Sequence, residues 1–242
     1  MRVLSVDLAY KHYRDCGVAL LSQQAGAPHA QLLEVSLSGP PDPQRLADWL
    51  ADQADRHQVA GLCIDGPLGW KAPDTEAEHC RLSEKAVRAP GKTGLPPDGV
   101  KPRGYLPFTR FSIALFERLT GVHGFALPGH LAPGNARFVT ETFPTAAWRQ
   151  LGLAPVPAKA KTTPAALHDA VQRLQQATGV VITPGTPTHD ELQAVVGGLA
   201  GLAWAQGDRA QVHLAGAPPF RLDDCWREGY IMIPASRPAT PR

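Results

Sequence analysis

Apolar positions come in short runs over the first third of the chain and in helical repeats afterwards. Val3 to Leu8 is a compact apolar run, followed by Cys16 to Leu21 and Gln31 to Leu37, with Gly- or Pro-containing turns between them. Separations this short predict antiparallel neighbours. Asp42 with Pro43 is a helix start, and Leu46, Trp49, Leu50 and Ala54 recur on one face of the helix it opens. The run 59–64 comes after that helix, which is how a parallel strand is reached. Three meandering strands plus a crossover helix predict a mixed sheet of the α/β class.

Order of the same kind returns at a strand over 137–141 and a helix over 144–151 that ends at Gly152. Thr163-Pro164 opens a helix to about 177, and Val180-Val181-Ile182 is a short strand. The last long helix spans 188–206, with Gly197, Gly198 and Gly201 making one flank small enough for close packing on the sheet. Residues 229–233 read as a late edge strand, and 237–242 as a frayed tail.

Residues 71–135 break the pattern. They are rich in Pro and Gly and hold the densest cationic run, Arg81, Lys85, Arg88, Lys92, Lys101, Arg103 and Arg110, opposed between 81 and 110 only by Glu84 and Asp98. A stretch like this predicts an insertion or lid within one domain spanning 1–242, with short helices near 76–87 and 109–120.

Four acids then stand out by position. Asp7 ends the first strand and opens the polar loop Lys11 to Asp15, and Asp65 ends the strand 59–64 and is stopped by Gly66-Pro67. Glu141 ends a third run and precedes Thr142-Phe143-Pro144, where an acid can also serve a helix N-terminus. Thr188-x-x-Glu191 is a capping box, which occupies Glu191 and leaves Asp190 as the candidate. Carboxylates gathered at strand ends repel one another and resist desolvation unless a divalent metal neutralises them. Asp7, Asp65, Glu141 and Asp190 are therefore the expected catalytic residues and ligands of Mg²⁺ or Mn²⁺, the ions that hard oxygen donors favour.

Composition narrows the alternatives. A formal net charge of +2 over 242 residues does not by itself announce nucleic-acid binding. The four cysteines form no CxxC pair, and Cys16 and Cys63 lie in apolar runs, where Cys acts as a small hydrophobe. With no signal peptide in the sequence and no apolar run near the roughly 18 residues of a membrane span, a soluble cytoplasmic protein is expected. Ala86 to Thr93 approaches the phosphate-loop consensus, but it leaves a charged helix and enters Gly94-Leu95-Pro96-Pro97, so its amides cannot converge on an anion. No HExxH pattern or G-x-S-x-G elbow is present, His189 reads as a solvated first-turn residue, and Trp49, Trp148 and Trp204 read as core.

Val6-Asp7-Leu8-Ala9, Ile64 to Gly69, Glu141 to Pro144 and His189 to Ala194 occur in an order that resembles the domain of unknown function 429 family. That family is described as predicted nucleases of RNase H-like fold. Lys161 and the terminal Glu228 to Ile231 extend the likeness over nearly the whole chain. The resemblance implies a three-stranded antiparallel meander extended by parallel strands, with helices on both faces and an acidic site on Asp7 and Asp65. One position departs: where the family's last helix carries a second acid after Asp190, this chain has Gln193.

The expected function is metal-dependent hydrolysis of phosphodiester bonds in nucleic acid, with Arg88, Lys92, Lys101, Arg103 and Lys161 following the substrate backbone. Two rivals remain open at this point. One is a binding module in which Gln193 records a lost site, and the other is a relative of the actin-like nucleotide phosphotransferases.

Overall fold

The computed structural model describes residues 1–96, 99–130, 137–183 and 185–236; Asp98, the end of the expected 71–135 insertion and the tail 237–242 lie outside them. One mixed sheet of eight strands organises these residues. Strands β1 (Arg2–Asp7), β2 (Gly17–Gln24) and β3 (Ala27–Leu33) form the antiparallel meander. Helix α1 (Pro43–Arg56) crosses to β4 (Gly61–Asp65), which lies parallel to β1. Asp42 caps α1 as expected, its side chain accepting from the Arg45 amide at 2.8 Å.

Past β4 the chain forms α2 (Leu82–Val87), the two-residue strands β5 (Lys92–Thr93) and β6 (Val100–Lys101), and α3 (Leu106–Gly121). Then come β7 (Phe138–Thr142), α4 (Pro144–Gln150), α5 (Pro164–Thr178), β8 (Val181–Thr183), α6 (His189–Ala205), β9 (Val212–Leu222) and β10 (Cys225–Pro234). The sheet order is β8-β3-β2-β1-β4-β7-β10-β9, with β7 parallel to β4 and β10 parallel to β7. A meander that continues into parallel strands with helices on both faces is an RNase H-like sheet.

Alternation along the strands divides the core. Leu4, Val6, Leu62, Ile64 and Val139 face α1 and α3, packing on Leu46, Leu50, Leu115, Phe116 and Leu119. Val3, Ala19, Leu21 and Cys63 face the other way, onto Trp148, Leu174, Leu192, Val195 and Val196 of α4, α5 and α6. Asp7 follows Val3 and Ser5, so it lies on the α6 side. No helix among the described residues is long and apolar enough to cross a membrane.

Several expectations are corrected. α3 supplies Leu115, Phe116 and Leu119 to the core, so this part of the expected lid is a layer of the domain. β3 begins four residues before the expected Gln31, because Gly26 closes the hairpin at a positive φ of 84°. β10 is an interior strand, covered by β9, whose Pro218-Pro219 pair hides it from pattern reading and suits an edge.

Helix α6 approaches the sheet more closely than side chains allow. A Cβ on Gly201 would lie 2.1 Å from Cys63 Sγ, and one on Gly17 would lie 2.1 Å from the carbonyl carbon of Asp190. Gly17 therefore sets how near the first turn of α6 comes to the end of β1. Gly17→Ala is expected to cost about 1–3 kcal/mol through overpacking and to move Asp190 away from Asp7. Thermal melts would show a midpoint several degrees lower and a Mn²⁺ titration a weaker site, whereas wild-type values in both would contradict this role.

Candidate metal centre

Parallel pairing of β1 and β4 sets Asp7 directly beside Asp65. Both are half-buried, and their carboxyls lie close enough for their charges to interact. Burial lifts the Asp7 carboxyl well above its usual range, and the charges of Asp65 and Asp190 lift it further, against a small opposing effect of Lys159. Burial likewise pushes Asp65 up to about 7, with the nearby Glu141 charge adding to it and Asp7 opposing. Two carboxyls so placed resist ionising together.

Asp190 stands in the first turn of α6, where the capping pattern of the sequence puts it. The helix has the expected capping box: Glu191 accepts from the Thr188 amide at 2.7 Å, which leaves Asp190 turned to the site. One oxygen each from Asp7 and Asp190 and a ring nitrogen of His189 lie within 4.8 Å of one another. Burial raises the Asp190 carboxyl, but hydrogen bonds from His189 and Lys159 outweigh it and hold the group below its ordinary range.

His189 is not the solvated residue expected. Its Nε2 lies 3.0 Å from the Pro157 carbonyl, which can only accept, and its Nδ1 lies 3.0 Å from Asp190. A neutral ring that donates from Nε2 to the Pro157 carbonyl presents the Nδ1 lone pair as a donor to a metal. Sequence reasoning misses Lys159 altogether. Its Nζ is 2.5 Å from Asp190 and 3.2 Å from Asp15, while Lys161, the expected cation, is exposed in the same turn. Nothing in sequence separates two lysines so close together; only the turn over 159–161 does.

Glu141 belongs to a different environment. It pairs in register with Ile64, one residue short of Asp65, so its side chain leaves the opposite face of the sheet. Both its oxygens accept from Arg81, at 2.7 Å each, and one also accepts from the Leu68 amide at 2.9 Å. Burial raises the Glu141 carboxyl and Arg81 pulls it back, while Arg81 is itself held charged above its usual range by Glu141 and Glu84 despite its burial. Burial outweighs this pairing, so the carboxyl stays above its usual range. Expected as a metal ligand, Glu141 is engaged by Arg81 and the Leu68 amide.

Arg81, expected as a lid cation, is fully buried. It also bonds Thr93 Oγ1 at 2.9 Å and the Glu228 carbonyl at 3.2 Å, and Glu84 receives the Thr93 hydroxyl at 2.5 Å. Glu228 sits at a bulge in β10 with a φ of 55°, followed by Gly229 at 110°, which turns its carboxylate inward to the amides of Ala72 and Leu82 and the hydroxyl of Thr75. These buried charges fasten the segment 71–93 to the sheet. Gln193 is likewise structural, since its Oε1 accepts from Trp148 Nε1 at 2.8 Å.

Arg88, Lys101 and Arg103 are exposed and Lys92 is half-buried. Lys92 pairs in register with Lys101, and the 3₁₀ turn Arg103–Tyr105 leads into α3 beside the acids. The groove over Asp7, Asp15 and Asp190 has a volume of about 460 Å³ and is walled by Tyr10, Lys11, Tyr105, Phe108 and Lys159.

No protein-family model matches the chain, and no curated protein does. Among solved structures, a Thermus thermophilus RuvC structure is similar at 12% identity over 86% of this chain and 98% of that one, with a TM-score of 0.41. T. thermophilus RuvC in complex with Holliday junction substrate is similar at 13% identity, with the same coverage and TM-score. Likeness of that degree carries no argument about chemistry.

The contrast between the two acid groups has measurable consequences. Because Asp7 and Asp65 titrate higher folded than unfolded, the folded state holds more protons, and metal-free stability falls as pH rises from about 4 through about 7. Melting at pH 5 and pH 8 without metal should show this loss, Mn²⁺ should restore it at pH 8, and Asp65→Asn should flatten the slope; a flat wild-type profile would contradict the raised carboxyls. Arg81→Met leaves Glu84 and Glu141 buried without a cation and should cost about 3–5 kcal/mol, against less than ~1 kcal/mol for the more exposed Arg137→Met. Denaturant titration compares them, and equal effects would remove Arg81 from this role.

Proposed function

We propose that this protein is a metal-dependent nuclease that hydrolyses phosphodiester bonds, and that it belongs with the domain of unknown function 429 family it resembles. The observation that carries the reading is the meeting of Asp7, Asp65 and Asp190 at one end of the sheet, Asp7 and Asp65 in register on adjacent parallel strands. Their oxygens, with His189 Nδ1 as a further donor, fit Mg²⁺ or Mn²⁺, and the nitrogen donor favours Mn²⁺ of the two. Bound there, such ions supply electrophilic activation of the phosphoryl group and of the attacking water.

The rest falls to the chain's own residues. Asp7 and Asp65 hold fixed positions, because each ends a strand of the central sheet. Asp190 closes the site from α6, steadied by Lys159, and the Pro157 carbonyl fixes the His189 ring. Lys159 and Lys11 face the groove where the phosphodiester lies, and Lys92, Lys101, Arg103, Arg88 and Lys161 extend the positive rim along which a backbone tracks.

One observation favours the binding-module alternative: Lys159 already places a cation on Asp190. The actin-like alternative finds no support, since among the described residues there is a single large sheet and no Gly-rich phosphate loop entering a helix.

Cleavage of mixed DNA and RNA substrates in Mn²⁺ is the test. Asp7→Asn should lower the rate by more than the ~100-fold typical of residues that only support metal ligands, without lowering nucleic-acid binding. Binding without cleavage by the wild type would replace the nuclease with a binding module.

A further inference from the structure

A second cavity, of about 220 Å³, adjoins the acid groove. Asp65 and Glu141 lie at its sheet end, and Pro67, Lys92, Thr109 and Phe143 are among its walls. Tyr105 and Phe108 line both cavities, so one aromatic partition stands between the metal centre and the pocket.

The partition is built from packed rings. Phe108 has Tyr105 edge-on at 6.5 Å and Tyr10 tilted at 6.2 Å between ring centroids. Tyr105 lies against Gly91, where a Cβ would come within 3.2 Å of the ring. Tyr105 keeps 42% of its surface exposed and lines both cavities.

We infer that this pocket takes one unpaired nucleobase, so that the substrate is nucleic acid unpaired at the scissile nucleotide. The inference rests on the nuclease reading for the position of the phosphate, over Asp7 and Asp65. From there the attached base reaches the aromatic partition, and Lys92 stands at the pocket for a flanking phosphate. The volume suits a small planar occupant: about 220 Å³ is below the ~300–1,000 Å³ of sites for larger ligands. A base inside a continuous duplex has both faces stacked and cannot meet Tyr105 or Phe108, whereas an unpaired one presents a face at little cost.

The test uses Asp7→Asn protein with Mn²⁺, so that binding is read without cleavage, and an oligonucleotide carrying 2-aminopurine either single-stranded or within a continuous duplex. The single strand should bind with quenched fluorescence and the duplex at least ~10-fold more weakly. Tyr105→Ala, and Phe108→Leu as the variant that keeps apolar volume in a half-buried position, should each weaken the single strand by roughly 5–100-fold, the size of one lost stack, and leave the duplex unchanged. Equal affinity for both forms, unquenched binding, no binding of either form, or folded variants that bind like their parent would overturn the inference. Failure of the nuclease reading is seen separately, as absence of cleavage by the wild type, and a wild type that cuts duplex without preference removes the pocket's role while keeping the nuclease.

Discussion

Asp7 and Asp65 end adjacent parallel strands in register, and the spacing of strands in a sheet, about 4.8 Å, brings their carboxyls into contact. Two buried acids that close cannot both be charged without a cation. The surroundings answer that constraint in layers. Burial and neighbouring charge hold the pair's carboxyls above their usual range, Lys159 and His189 hydrogen bond to Asp190 beside it, and α6 is let in to deliver Asp190 because Gly17 has no side chain to stop it. The site is thus a set of acidic groups held close together.

On neighbouring elements, other carboxylates do the opposite work. Glu141, Glu84 and Glu228 are buried, and Arg81, amide N–H groups and threonine hydroxyls supply their hydrogen bonds. Their role is to tie an irregular, Pro-rich segment to the sheet, and that segment carries Tyr105, Lys92 and Arg103 to the edge of the groove. Burying such charges yields little net stability, but removing one partner is costly, so the network specifies a position more than it stabilises a fold.

Much of the sheet is legible in the sequence because its strands are apolar, uninterrupted and close together along the chain. β1, β2 and β4 announce themselves, Asp42 and Thr188 mark helix starts that the structure reproduces, and the two register-paired acids lie where the runs end. Other features depend on contacts between distant residues. Glu141 has the same strand-end signature as Asp65, and only its register with Ile64, putting it on the other face, separates the two roles. Arg81 sits in a cationic run yet is buried, because its partners come from 60 and 147 residues away. The β9–β10 hairpin is half hidden, since Pro218, Pro219 and the bulge at Glu228 break the alternation that reveals a strand.

The division between the open acids and the closed ones is most directly tested by anomalous diffraction from crystals grown with Mn²⁺. Density for manganese is expected among Asp7, Asp65 and Asp190, with the Arg81–Glu141 pair intact. Manganese ligated by Glu141 with Arg81 displaced, or no manganese at the Asp7–Asp65 pair, would contradict that division.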